Sequence, residues 1–303
     1  MVIEVSLAFA FGAMLCWGFG DFFIQRCTRK VGDVESLAFI GIIGAIMILP
    51  FAIKDLHLLS TYNLLLLLVV GIITFIAALL DFEALKEGKL SIIDVIIELE
   101  LPATIVLGFI FFNESLSALQ FLIISSVFIG IILVATKSFS HIKNYRFFIT
   151  PKTEGFLGWK AKLEKGALLA FFAAISMALV NFLMTSSARQ ISPSITIFGI
   201  WIITAVFALF FVWKREGFSK LIKNGIKFKW IVLAMGIFDT LAWLFYILAT
   251  LKNEISITTA ITESFPAIAI FLGAWFNKEK INWHQWLGAG IALGASFALA
   301  FLV

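Results

Sequence analysis

Long apolar runs separated by short polar or charged gaps recur along the whole chain. A helix needs about 20 mostly apolar residues to cross the hydrocarbon core of a bilayer. Ten stretches satisfy that: 5–26, 34–53, 63–85, 91–112, 118–136, 166–188, 194–213, 230–250, 256–276 and 284–302. The first run follows Glu4 rather than a basic segment and exceeds the apolar length of a signal peptide, so it is expected to remain as a spanning helix. One gap is long. Residues 137–165 mix charge with Pro151 and two glycines and split the chain into 1–136 and 166–303.

The two halves carry the same pattern. Moving the second back by 165 positions aligns 71–135 with 236–300, and 17 of these 65 positions are identical. Apolar matches are expected by chance, but the pairs Ser91/Ser256, Glu98/Glu263, Glu114/Glu279 and Gln120/Gln285 use residues that are scarce here. A weaker match at offset 160 joins Asp21 to Asn181 and Arg29 to Arg189. Each half holds five predicted helices, an odd number, so consecutive copies enter the membrane in opposite senses. The expected architecture is all-α and membrane-embedded, with ten transmembrane helices arranged as two inverted five-helix repeats.

Composition agrees. Of 303 residues 61% are apolar and 14% charged, with a mean hydropathy of +1.05, whereas soluble domains run about 45–50% apolar and about 25% charged. The net charge of +4 reflects basic residues scattered through the gaps, not a separable basic domain, so nucleic acid is not an expected partner. Lys and Arg number twenty in the gaps after the odd-numbered predicted helices and three (Lys54, Arg189, Lys252) elsewhere. Basic loops stay in the cytoplasm. This predicts a multi-pass plasma-membrane protein with a cytoplasmic 137–165 linker and both termini outside.

Several of these residues form a pattern. Trp17-Gly18 lies in the first predicted helix, and Pro102 and Pro266 lie in the fourth and ninth. Gly108 and Gly273 follow them, then Glu114 with Gln120 and Glu279 with Gln285. In this the chain resembles the drug/metabolite transporter superfamily, specifically its EamA family, over nearly its whole length. It departs in two places: Pro102 sits one residue later than its repeat mate, and Met177-Ala178 replaces the Trp-Gly pair in the second half. The resemblance implies movement of a small organic solute, such as an amino acid or other metabolite, outward or by exchange. It also implies termini inside, against the charge count; the count is followed here because it acts on this chain during insertion.

Ionisable groups inside spans are costly and point to function. Glu98 and Glu263 occupy equivalent places about 10 Å into their helices at 1.5 Å per residue, and are expected to line one central cavity, contacting a cationic or zwitterionic solute or exchanging protons. The other reading is an inherited structural glutamate bonded across helices. Asp94 shares the Glu98 face but also completes a capping-box spacing with Ser91. Glu100, about 200° round from Glu98, cannot share its cavity unless Pro102 distorts the helix. Asp239 stands mid-span with no acidic mate at Thr74. Asp21 has Arg26 and Arg29 nearby for pairing, and Glu83 has Lys86. Glu114 and Glu279 fit helix N-termini. Trp17, Trp201, Trp243 and Tyr246 suit a cavity for aromatic or cationic solutes, or the membrane interface.

The expected protein is a secondary active transporter of an amino acid, metabolite or cationic drug, working by alternating access as a monomer or homodimer. Proton coupling and exchange both remain open. A passive channel or a structural or assembly protein is the alternative. No phosphate-binding loop, nucleophile with its base, metal cluster or cofactor motif occurs in the spans, so neither an enzyme nor a cofactor is expected.

Overall fold

The computed structural model of the chain describes residues 5–87, 96–136, 165–215, 217–276, 278 and 280–302. They form α1 (Val5–Val31), α2 (Asp33–Asp55), α3 (Thr61–Glu87), α4 (Glu100–Phe112), α5 (Ala118–Ala135) and α6 (Lys165–Gln190). There follow α7 (Pro193–Arg215), α8 (Phe218–Lys227), α9 (Lys229–Thr250), α10 (Ile255–Thr262), α11 (Phe265–Phe276) and α12 (Trp283–Ala300). No strand occurs among the described residues. Eight segments are long and apolar enough to cross a membrane: α1, α2 with its short 3₁₀ extension, α3, α5, α6, α7, α9, and α10 with α11. The other two predicted stretches give the 13-residue α4 and the 18-residue, alanine- and glycine-rich α12.

Polarity is distributed as a bilayer requires. Ile46, Leu65, Leu122 and Val206 are exposed on outer faces, while Asn181, Thr185, Asp239 and Thr259 are buried. With apolar lipid outside, helices gain by close contact and polar bonds rather than by hiding apolar surface. Small residues supply the contact. α1 lies along α9, α2 along α7, α3 along α6, and α5 along α12. A Cβ on Gly41 of α2 would fall 2.8 Å from the Trp201 carbonyl of α7, and one on Gly288 of α12 would fall 2.6 Å from the Gly130 carbonyl of α5.

The helix ends explain two of the repeated residues. Ser117 Oγ accepts the Gln120 N–H (3.2 Å) while Gln120 Oε1 accepts the Ser117 N–H (2.9 Å), a capping box that starts α5. Gln285 likewise accepts the Asn282 N–H (3.0 Å) at the start of α12, and its Nε2 donates to the Val134 carbonyl of α5 (2.9 Å).

Three local features differ from the sequence expectation. The 214–229 gap, read as a loop, contains α8. Gly217, at φ 75°, turns the chain, and Phe218, Ile222 and Ile226 line one face while Lys220, Lys223 and Lys227 lie between them, the pattern of an interfacial helix. The ninth predicted helix is two helices, α10 and α11. In the fourth, α4 begins only at Glu100, after a turn at Glu98 and Leu99.

Candidate functional site

Both interruptions follow from proline. Pro102 has no N–H, and its ring clashes with the carbonyl four residues earlier, that of Glu98. The chain tightens instead: Leu99 N–H donates to Ile96 O (3.1 Å) and Leu101 N–H to Glu98 O (3.4 Å). Pro266 acts the same way on Thr262, where α10 stops. Ser264 N–H then bonds to Ile261 O (3.2 Å) and Ala267 N–H to Ser264 O (3.1 Å) before α11 resumes. Glu98 and Glu263 therefore sit in tight turns that interrupt the α-helices, 8% and 7% exposed. The turn is the distortion at Pro102 that the sequence requires for Glu98 and Glu100 to share surroundings, and Glu263 lies within electrostatic reach of both.

Three aspartates extend this interior. Asp21 of α1 lies within electrostatic reach of Asp81 on α3 and Asp239 on α9, and Glu100 within reach of Asp81 and Asp21. Asp21, expected to pair with a neighbouring arginine, thus has acids of other helices close to it, and the Arg26 guanidinium lies over the Phe22 ring at 4.1 Å. Asn181 of α6 donates to Glu100 Oε1 (2.7 Å) and to Thr104 Oγ1 (3.4 Å). Asp239 is 7% exposed, and its Oδ2 has no hydrogen-bond partner among the described residues.

The aromatic residues meet beside the Glu263 turn. Trp17 of α1 packs edge-on against Trp243 (ring centroids 5.3 Å apart), against Tyr246 (5.5 Å) and near Phe265 (6.5 Å). Trp243 and Tyr246 follow Asp239 at helical spacing on one face of α9. The Tyr246 hydroxyl shares a hydrogen bond with Thr259 Oγ1 of α10 (2.9 Å), and Ser264 with Ser296 Oγ of α12 (2.6 Å). Trp201 lies apart, its indole edge against Gly44 and near Thr240.

At one end of the bundle, Glu114 serves a helix other than its own. Asn113, in the left-handed region at φ 53°, closes α4 and turns the chain. The Glu114 carboxylate then accepts the Ile255 N–H (2.5 Å), the Ser256 N–H (3.1 Å) and the Ser256 hydroxyl (2.5 Å) at the start of α10. Its structural role matches the expectation, but the helix it caps lies in the other half of the chain. A cleft of ≈ 250 Å³ opens here, lined by Phe112, Asn113, Glu114, Arg189, Lys252, Asn253 and Glu254. Arg189 spans its wall, donating to the Thr250 carbonyl (2.5 Å) and the Asn253 carbonyl (3.1 Å). Burial, then the Glu114 charge, push the Glu254 carboxyl above its ordinary range.

Of the residues selected from sequence, the fold gathers Glu98, Glu263, Asp239, Trp17, Trp243 and Tyr246 into one interior; Asp94 lies outside the described residues, as do Glu279 and most of the linker. The fold adds Glu100, Asp21, Asp81, Asn181 and Phe265. Asn181 was visible in sequence only as the repeat mate of Asp21, and Phe265 only as a neighbour of Glu263. Among the described residues no group of three or more His, Cys, Asp or Glu is placed to hold a metal ion.

A search of curated proteins returns no match to the sequence. Among solved structures, one described only as the crystal structure of a protein superposes with a TM-score of 0.74 at 13% identity, covering 99% of this chain and 98% of that one. At that identity the likeness speaks for the fold alone. The profile of the EamA-like transporter family matches residues 5–136 and again 164–301. With nearly the whole sequence matched and a bundle of apolar helices around a polar interior, the chain belongs to the EamA-like transporter family of membrane proteins.

Proposed function

We propose that this protein is a secondary active transporter that carries a small organic solute across the plasma membrane by alternating access. Ten spanning helices form two inverted five-helix repeats, 1–136 and 166–303, joined by a cytoplasmic linker, with the termini outside. The protein works as a monomer or homodimer. Glu98 and Glu263 face one central site together with Asp239, Trp17, Trp243 and Tyr246, and Asp94, four residues before Glu98 in the sequence, is a further candidate for it. The supporting observation is the pair of proline breaks, which leaves one glutamate in a turn between helical segments in each half. Interrupted helices meeting near mid-membrane are the usual construction of a solute site in inverted-repeat transporters. The helix pairing supports the same reading: α1 with α9 corresponds to α6 with α3 when the halves are exchanged, and α2 with α7 and α5 with α12 correspond to themselves.

The test has two stages. A thermal-shift screen against a metabolite library identifies a solute, because a ligand of the folded state raises apparent stability. Uptake of that solute is then measured in proteoliposomes with the Glu98→Gln, Glu263→Gln double variant. Loss of uptake is expected, and normal uptake would remove the glutamates from the mechanism. If protons couple through either carboxylate, the variant loses gradient-driven uptake and keeps solute exchange. Saturable exchange by the native protein separates a carrier from a pore.

A further inference from the structure

We propose that the interior site takes an organic cation, an amine carrying an aromatic or alkyl group and no carboxylate. The proposal rests on the transporter reading for movement of the solute, but not for its binding.

The ionisable side chains around the site are all acids. Asp21, Asp81, Glu98, Glu100, Asp239 and Glu263 come from five segments of the chain, with Asp21 within electrostatic reach of Asp81, Asp239, Glu100 and Glu263, and Glu263 within reach of Glu98 and Glu100. The basic residues of the spans sit near helix ends and are engaged there, Arg26 over Phe22 and Arg189 on the Thr250 and Asn253 carbonyls. Independently, Asp239 presents a buried Oδ2 with no donor among the described residues. A buried acceptor left without a partner costs about 1–3 kcal/mol, and an ammonium group supplies both a donor and the opposite charge.

The neighbouring aromatic side chains favour the same ligand. The ring centroids of Trp17, Trp243 and Tyr246 lie within 6 Å of one another, Trp243 one turn and Tyr246 two turns beyond Asp239 on α9, and aromatic faces attract organic cations through their quadrupoles. An inorganic cation fits less well, because among the described residues no three acids are close enough to ligate one.

A carboxylate-bearing solute has little to bind. The groups that receive anions in broken-helix sites are helix N-termini, and here they are occupied. Glu114 already accepts both N–H groups that open α10. α11 and α4 each place a proline, without an N–H, in the first turn, and α4 adds Glu100 beside it.

A matched series tests this: phenethylamine, phenylalanine and 3-phenylpropionate share a ring and differ in charge. Binding is measured by equilibrium dialysis with purified full-length protein. Phenethylammonium is expected to bind at least about tenfold more tightly than phenylalanine, the ratio set by one lost charge contact, and 3-phenylpropionate not at all. Asp239→Asn, which keeps the side chain's size, should weaken phenethylammonium at least about tenfold. Trp243→Leu provides a second variant if the first does not fold. Equal or tighter binding of phenylalanine or 3-phenylpropionate, unchanged affinity in the folded variant, or no binding by any of the three would overturn the proposal. The transporter reading fails separately. If phenethylammonium binds but is not moved in proteoliposomes, the cation site stands and transport falls; if an anion or zwitterion is carried while phenethylammonium does not bind, transport stands and the cation site falls.

Discussion

Glu114 and Ser256, 142 residues apart, form a cap across the two halves of the chain: the carboxylate of one accepts both the N–H and the hydroxyl of the other. Glu114→Ala orphans these donors and the Ile255 N–H at a buried helix start. Loss of a charged hydrogen-bonded cap of this kind should cost about 1–3 kcal/mol, with Glu114→Gln costing less because its amide oxygen still accepts. Thermal unfolding in detergent reads both. A wild-type melting temperature for Glu114→Ala would mean that the cap does not hold α10.

Gly108 leaves room for that carboxylate. A Cβ there would fall 2.5 Å from Glu114 Oε2 and 2.9 Å from Ser256 Oγ. Gly108→Ala should therefore destabilise the protein by displacing the cap, and should add little once Glu114→Ala is present, since one interaction cannot be lost twice. A double-mutant cycle checks this; additive losses would assign the glycine some other purpose.

The α5 and α12 helices touch backbone to backbone at Gly130 and Gly288, where an added Cβ meets main-chain atoms at 2.7 and 2.6 Å. Main chain cannot step aside as a flexible side chain can. Gly288→Leu should force these helices apart and destabilise by about 1–3 kcal/mol, as overpacking does, while Gly290→Leu, where a Cβ meets nothing within 4 Å, should be tolerated. Similar melting temperatures for the two variants would contradict the close approach.

Glu254 provides a pH dependence outside the spans. Its carboxyl is raised above the ordinary 4.5, first by burial and then by Glu114, against a lowering backbone hydrogen bond from Ser115. Ionisation is thus harder in the folded protein than in the unfolded chain. Its contribution to stability is fully present below pH 4.5 and declines as pH rises through the folded value. Glu254→Gln removes that decline, so the variant should gain on the native protein in melting temperature from pH 4.5 towards neutrality. A difference that does not change with pH would show that Glu254 is equally easy to ionise in both states.

Orientation is open to labelling. Cys16 and Cys27 are both buried, so an introduced cysteine reports with little background. Ser60→Cys, on the exposed connection before α3, should react with an impermeant maleimide in intact cells, and Ser140→Cys in the linker should not. The reverse pattern would place the termini inside.

The sequence by itself determined the membrane character, the placement of the apolar segments, and the acids and aromatics worth attention. These are additive properties: hydropathy sums along a segment, and scarce polar residues stand out against an apolar background. α8 was missed: Phe218, Ile222 and Ile226 recur every fourth residue among lysines, but the segment is short and its lysines made it a gap between spans. Tertiary structure decided which residues meet. On an unbroken helix Glu98 and Glu100 diverge, and only the proline-induced turn lets both reach Glu263. Asp21 has two arginines close by in sequence, and packing of α1 along α9 brings it within electrostatic reach of Asp239. Glu114 sits at the foot of its own next helix and instead caps α10. In each case sequence neighbours competed with a partner roughly sixty or more residues away, and the outcome depended on how the helices pack, which periodicity does not encode.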